Sequence, residues 1–139
     1  MAKAYIFNEH LDGDDRAAIE AAIKNAGYEP VYVFPTDISV VDPECDIGVV
    51  GLPGAAEDEA IVNERSRAFG GAGIRVIGIW LRKCEEGGSG LPEGLEKYGS
   101  TTVDIGSPNL SDRLKGESEV WEEAGGTPRP APATKRNKC

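Results

Sequence analysis

The sequence predicts a small α/β domain built around a doubly wound, mostly parallel five-stranded sheet. Short apolar runs alternate along the chain with segments whose apolar residues recur at helical spacing, and this alternation is typical of a sheet with helices on both faces. The runs at 45–52 and 74–81 are mostly continuous rather than alternating, as strands covered on both faces are. A chain of 139 residues is long enough for one such domain.

The first half of the chain predicts a strand at 5–7, a helix at 16–26 and a second strand at 31–34. The helix follows a turn at 12–15 that can cap it, and Gly27 stands where a left-handed C-cap is expected. The apolar stripe of this helix consists of Ala18, Ile19, Ala22, Ile23 and Ala26. A loop with a short helical turn is expected over 36–44.

The second half predicts three more strands and the helices between them. The expected elements are a strand at 45–52, a helix at 57–69 ended by glycines at 70–73, a strand at 74–81, a helical turn within 91–98, a strand at 101–105 and a last helix from about 107 to 123. We expect the flavodoxin-like strand order 2-1-3-4-5, with right-handed crossovers. Residues 1–124 then form one domain, and the Pro-rich basic tail 125–139 is expected to be flexible, or ordered only by a partner protein.

The charge distribution argues against direct nucleic-acid binding. The net charge is −9, and the tail holds four basic residues and no acidic one, so the remainder carries 11 basic against 24 acidic residues. Such a body repels nucleic acid, whereas the tail suits an acidic partner surface. No apolar run approaches the roughly 18 residues of a membrane span. With no signal-peptide pattern and no CxxC spacing among three cysteines, a cytoplasmic protein without disulfides or a metal site is expected.

Fold geometry selects two short segments as a ligand site. In a sheet of this order, ligands bind beyond the carboxyl ends of the strands where the order reverses, here between the first and third strands. The expected lining is Phe7, Asn8, Glu9, His10, Gly51, Leu52, Pro53 and Gly54. The glycines would allow a ligand close to the backbone. His10, the only histidine, is either a ligand contact or an exposed loop residue.

Glu64 is the candidate catalytic residue of the predicted helix at 57–69. The expected core-facing stripe of that helix is Ala60, Ile61, Glu64 and Ala68. A carboxylate among core-facing residues is costly unless it is paired or used in function. The alternative is that Glu64 lies at the edge of the stripe and pairs with Arg65 or Arg67.

A resemblance to a known superfamily covers residues 45–81. Its features are a strand with Asp46 near its start, an acidic loop at 57–59, the sequence Asn63-Glu64-Arg65, and a glycine turn that leads into an apolar strand. This block resembles the nucleoside 2-deoxyribosyltransferase-like and TIR-like domains, in which a helix at this place carries the catalytic Glu. The glycine turn here is slightly longer than in those domains.

The resemblance implies cleavage of an N-glycosidic bond in NAD or a related nucleotide, with Glu64 contacting the ribose or attacking its anomeric carbon. An anion there stabilises the positive charge that develops on the sugar. NAD or a nucleotide is then the substrate, and no cofactor is implied. The resemblance also implies a homo-oligomer, with Asp37 or Asp42 near a neighbour's crevice, and a setting in antiviral signalling. The alternative interpretation is a catalytically silent nucleotide-binding or protein-interaction adaptor, in which Glu64 is salt-bridged and the crevice is filled.

Overall fold

The computed structural model describes residues 2–52, 56–81, 92–107, 110–115, 121–122 and 128–129. The strands are β1 (Lys3–Ile6), β2 (Glu29–Val31), β3 (Ile47–Leu52), β4 (Arg75–Trp80), β5 (Thr101–Asp104), β6 (Trp121–Glu122) and β7 (Pro128–Arg129). The helices are α1 (Gly13–Asn25), α2 (Glu59–Gly71), α3 (Glu93–Tyr98) and α4 (Leu110–Leu114). Short 3₁₀ turns at Ile38–Val40 and Ala56–Asp58 precede β3 and α2 respectively.

The main sheet has five parallel strands in the order β2-β1-β3-β4-β5. This confirms the predicted α/β class and the flavodoxin-like order. The order reverses between β1 and β3, because the chain leaves β1 to form β2 on one side and then returns to form β3 on the other. The carboxyl ends of β1 and β3 therefore define the edge at which folds of this order bind ligands.

Helices cover both faces of the sheet, and successive residues of β1 point to opposite faces. Tyr5 joins the cluster that contains Val62 and Phe69 of α2, together with Leu95 of α3. Ile6 joins the other cluster, which contains residues of α1 and α4. Every residue of β3 is buried, since this central strand is covered on both sides.

Helix α1 begins at the predicted capping turn and is followed by the predicted glycine. The Asp12 carboxylate caps the helix by accepting the N–H of Asp15. Gly27 has a φ of 92°, in the left-handed region that glycine adopts without strain, and it turns the chain towards β2. Gly73 does the same after α2, with a φ of 80°.

Two predicted elements differ from the structure. The second strand covers Glu29–Val31 and shares only Val31 with the predicted 31–34, because pairing with β1 starts at Glu29 and ends at Val31. Pro30, which lacks an N–H, is tolerated since β2 is an edge strand. The last helix is shorter than expected: α4 ends at Leu114, and β6 pairs with β7 in an antiparallel ladder. The expectation of a helix to about 123 is wrong, and so is that of an unstructured tail at 128–129, while residues 130–139 lie outside the described part of the chain.

None of the helices in the described ranges is both long enough and apolar enough to cross a membrane.

Candidate functional site

A buried carboxylate, Asp58, fixes the loop that follows β1. Asp58 ends the 3₁₀ turn just before α2, and its side chain is 1% exposed. One carboxylate oxygen, Oδ2, accepts the backbone N–H groups of Glu9 (3.1 Å) and His10 (2.8 Å). The other oxygen, Oδ1, lies 2.6 Å from Nδ1 of His10. Three hydrogen bonds to one buried group therefore bind the β1–α1 loop to the start of α2.

His10 presents one bound and one available ring nitrogen. Nδ1 faces the Asp58 carboxylate, so it carries the proton in the neutral ring as well as in the charged one. The side chain is 59% exposed, which leaves Nε2 as the nitrogen open to a ligand. The hydrogen bond to Asp58 raises the pKa of His10 above 6.5, and the negative charges of Asp58, Glu57 and Glu9 raise it further against the opposing effect of burial.

Arg65 of α2 holds the same loop at a second point. Its guanidinium donates to the carbonyl oxygen of Phe7 (2.9 Å) and to the Glu9 carboxylate (2.9 Å). It also lies over the ring of Phe34, 4.8 Å from the centroid. Because the cation is already engaged by these three groups, Arg65 positions the loop rather than offering a free charge to a ligand.

Asn8 and Gly51 join β1 to β3 at the reversal point. The Asn8 amide donates to the carbonyl of Gly51 (3.2 Å) and accepts the N–H of Gly51 (2.6 Å). Asn8 is buried, and a side chain at Gly51 would meet Ile19, Leu81 and Leu11 at 3.0–3.3 Å. The expectation that these two residues face an open crevice is wrong, because each satisfies the other's polar atoms inside the protein.

The other residues predicted to contact a ligand, in the lining or near a neighbour's crevice, lie in different places. Phe7 is fully buried and packs edge-on against Phe34 and Phe69, so only its carbonyl belongs to the site. Asp37 is exposed and accepts the N–H and hydroxyl of Ser39, and these hydrogen bonds lower its pKa. Pro53 and Gly54 lie outside the described residues.

Glu64 lies on the outer side of α2. The buried residues of this helix are Val62, Ser66 and Phe69, not the stripe of Ala60, Ile61, Glu64 and Ala68 that the sequence suggested. Glu64 is two positions from both Val62 and Ser66, about 200° around a helix of 3.6 residues per turn, and it is exposed. The expectation of a core-facing Glu64 is therefore wrong.

Glu64 instead lines a groove between α2 and α3. The groove has a volume of about 290 Å³ and is lined by Asn63, Glu64, Arg67, Glu93, Gly94, Lys97 and Tyr98. Asn63 joins the two helices by accepting the N–H of Gly94 (2.7 Å). No residue of the β1–α1 loop lines this groove, so Glu64 and His10 belong to two separate surfaces.

The two residues that organise the β1–α1 loop, Asp58 and Arg65, were not expected at the site. The sequence does contain a signal for them. Val62 and Phe69 are large apolar residues seven positions apart, and Asp58 lies four positions before Val62 as Arg65 lies four positions before Phe69. That spacing places Arg65 on the side of α2 that meets the sheet and aligns Asp58, the residue just before the helix, with the same side.

Among the described residues, no group of three or more His, Cys, Asp or Glu side chains is arranged to hold a metal ion. Comparisons with protein-family models, with curated proteins and with solved structures return no match. Fold and site together define a flavodoxin-like α/β domain that carries a histidine–aspartate pair at the carboxyl edge of β1 and β3.

Proposed function

We propose that this domain binds a nucleoside or nucleotide at the carboxyl edge of β1 and β3. The observation that carries the proposal is the pair of His10 and Asp58. A buried carboxylate fixes the tautomer and direction of an exposed imidazole at the edge where sheets of this order bind ligands. Nucleotides are the ligand class of many folds of this kind, which is an argument by analogy.

The rigidity of the loop supports a binding role. Asp58 holds the backbone of Glu9 and His10, while Arg65 holds Phe7 and the Glu9 side chain. An imidazole carried by a loop held in this way loses little freedom when a ligand arrives, so less of the interaction energy is lost to ordering.

The test uses the ring signals of His10, the only histidine in the chain, in proton NMR spectra. Adenosine, AMP and NAD are titrated separately. We expect a saturable shift of the His10 signals with at least one of them, and weaker binding by His10→Gln. Lys24→Gln, which removes a cation from the last turn of α1, is the control and should bind as the wild type does. Ligand-induced shifts confined to Tyr98 would contradict the proposal and point to the groove instead.

A second candidate function is cleavage of an N-glycosidic bond at the groove between α2 and α3. The observation in its favour is that Glu64, the residue singled out by the resemblance, lines a groove that also holds Tyr98 and two cations, Arg67 and Lys97. A carboxylate there can stabilise positive charge on a sugar, and Arg67 suits a phosphate, while Lys97 is paired with Glu93 of the same groove (3.6 Å).

This candidate predicts that Glu64→Gln abolishes release of the base from NAD or a nucleoside monophosphate and leaves the fold intact. Gln keeps the volume of Glu but removes its charge, and exposed charges contribute only roughly 0–1 kcal/mol to stability. Chromatography of the released base and a thermal melt of the same sample are the measurements. Glu59→Gln, an exposed glutamate of the same helix that is not in the groove, is the control. Undiminished release by folded Glu64→Gln would exclude the residue.

Self-association through the 36–44 loop stays a prediction. Val40 in that loop is 67% exposed and Val33 just before it is 79% exposed, and these are the large apolar side chains that the described residues leave exposed. Light scattering over a range of protein concentrations, with and without nucleotide, tests it, and a monomer under all conditions would contradict it.

A further inference from the structure

We propose that the groove between α2 and α3 binds a free α-amino acid, with Arg67 holding its carboxylate, Glu64 its ammonium group and Tyr98 its apolar or aromatic side chain. The inference is independent of ligand binding at the carboxyl edge of β1 and β3, because none of the described residues that line this groove belongs to the β1–α1 loop. It gives the groove a ligand of a different class from the nucleotide considered above.

Two glycines hold α2 and α3 in close contact at the groove. A Cβ at Gly94 would lie 2.6 Å from Cα of Asn63, and a Cβ at Gly70 would lie 2.6 Å from Cβ of Tyr98 and 3.0 Å from its carbonyl oxygen. The side chain of Asn63 also accepts the N–H of Gly94 (2.7 Å). Because the helices touch at both points, the walls of the groove are fixed before a ligand arrives, and less binding energy is lost to ordering.

Glu64 and Arg67 are the charged groups of the groove that no other described group neutralises. On the α3 side, Lys97 pairs with Glu93 (3.6 Å). On the α2 side, neither Glu64 nor Arg67 has an ion-pair or hydrogen-bond partner within the described part of the chain, and both are exposed. They stand three positions apart on the helix, so their Cβ atoms lie about 5–6 Å from each other. The groove therefore offers an available cation next to an available anion.

This arrangement of charges selects a zwitterion as the ligand. A phosphate or a nucleotide would pair with Arg67 but be repelled by Glu64, and a metal cation would be attracted by Glu64 but repelled by Arg67. An α-amino acid carries a carboxylate and an ammonium group on one carbon, so each of its charges finds a partner of opposite sign. The guanidinium of Arg67 can hold the carboxylate through two parallel hydrogen bonds.

The size of the groove and its tyrosine indicate where the rest of the ligand lies. The volume of about 290 Å³ is at the lower end of small-molecule pockets, which span roughly 300–1,000 Å³, and it suits a ligand as small as an amino acid. Tyr98 is partly buried and lines the groove from α3. An apolar or aromatic side chain of the ligand would pack against its ring.

Binding is tested by isothermal titration calorimetry of the full chain with L-phenylalanine and by ¹H–¹⁵N NMR spectra with the same ligand. We expect saturable binding that shifts the amide signals of Asn63 and Gly94 and leaves the ring signals of His10 unchanged. N-acetyl-L-phenylalanine, which lacks the ammonium charge, and L-phenylalanine amide, which lacks the carboxylate, should each bind about tenfold more weakly or worse. No binding of L-phenylalanine, or shifts confined to His10, would overturn the inference.

Two variants test the two charged contacts separately. Arg67→Gln should weaken the binding of L-phenylalanine by about tenfold or more, but it should not change the binding of the amide, which has no carboxylate to lose. Glu64→Gln should weaken the binding of L-phenylalanine to a similar extent and leave that of the N-acetyl analogue unchanged. Equal losses for L-phenylalanine and for the analogue would show that the variant acts through the structure of the groove, and would overturn the assigned contacts.

Matched controls are available for both variants. Glu59→Gln removes an exposed glutamate of α2 that does not line the groove, and Lys24→Gln removes a cation of α1. Both should bind L-phenylalanine as the wild type does, and thermal melts should show all four variants folded, since exposed charges contribute little to stability. AMP in place of L-phenylalanine distinguishes the two ligand classes. Amide signals of Asn63 and Gly94 that respond to AMP and not to L-phenylalanine would overturn the inference.

Discussion

Asp58 and Asp46 are two buried carboxylates that do similar structural work at opposite edges of the sheet. Asp46 accepts the N–H groups of Lys3 and Asp42 near the start of β1, and Asp58 accepts those of Glu9 and His10 beyond its end. Only Asp58 also holds an ionisable side chain. The carboxyl edge therefore contains an ionisable group whose pKa is raised by its carboxylate partner, and the stability of the protein should depend on pH accordingly.

The stability that His10 contributes should decrease as pH rises. Its pKa is above 6.5 in the folded protein, so the proton binds more tightly to the folded than to the unfolded chain. The contribution is fully present below about pH 6.5 and is lost as pH rises through the folded pKa. Urea unfolding of the wild type and His10→Gln over this range is the measurement. A stability difference that does not change with pH would contradict the assignment.

Ser66 carries a buried hydroxyl that no other described residue satisfies. It is fully buried on the sheet-facing side of α2, and its Oγ has no hydrogen-bond partner among the described residues. Ser66→Ala removes the unpaired group and favours the helix, so we expect an increase in unfolding free energy of about 1 kcal/mol. Ser39→Ala, which removes a hydroxyl bonded to Asp37 at the surface, should not stabilise the protein. Destabilisation by Ser66→Ala would mean that the hydroxyl has a partner.

At the scale of the elements, α2 shows what a sequence pattern can and cannot determine. Its existence and its approximate span follow from the sequence, but its rotation does not. Alanines at 60 and 68 suggested one face, whereas Val62 and Phe69 fill the core and Ser66 lies buried between them. Small residues carry little burial energy and so give a weak periodic signal. Because the predicted rotation of α2 is wrong, the sequence pattern places Glu64 in the core although it is exposed. It also gives no reason to expect that Asp58 is buried, since that burial depends on contacts with a loop 48 residues earlier in the chain.

The contact between α2 and α3 depends on the absence of a side chain at Gly94. A Cβ there would lie 2.6 Å from Cα and 2.7 Å from the carbonyl oxygen of Asn63, both of which are backbone atoms. Gly94→Ala should therefore push the helices apart and destabilise the protein by about 1–3 kcal/mol. Gly71→Ala is the matched control: it lies in α2 with no atom within 4 Å of its Cβ position, and it should be neutral or stabilising. Chemical denaturation measures both. A Gly94→Ala variant as stable as Gly71→Ala would show that the two helices can separate without loss of stability.

At the scale of the whole molecule, the strand order could be predicted because two strong patterns agree. Continuous apolar runs mark β3 and β4 as central strands, and the short β2, which contains Pro30, suits an edge. The position of a ligand edge follows from that order alone. The identities of its working groups do not, since Asn8 and Gly51 satisfy each other inside the protein and His10 is oriented by a residue distant in sequence. Beyond α4 the sequence predicts a longer helix, so it does not predict the pairing of β6 with β7.

The ladder between β6 and β7 divides the C-terminal part of the chain into two sections with different expected effects on stability. Residues 130–139 contain no apolar side chain larger than Ala or Pro except Cys139, so a chain ending at residue 129 should melt as the full chain does. A chain ending at residue 124 loses β7, the partner of β6, and β6 contacts β5. Loss of a two-residue ladder costs on the order of 1 kcal/mol, which lowers the melting temperature of a domain of this size by about 3–6 °C. The measurement is a thermal melt of the full chain and of the two truncated chains. Identical curves for all three would show that the ladder does not stabilise the domain. A lower melting temperature for the chain ending at residue 129 would show that the last ten residues contribute to the fold.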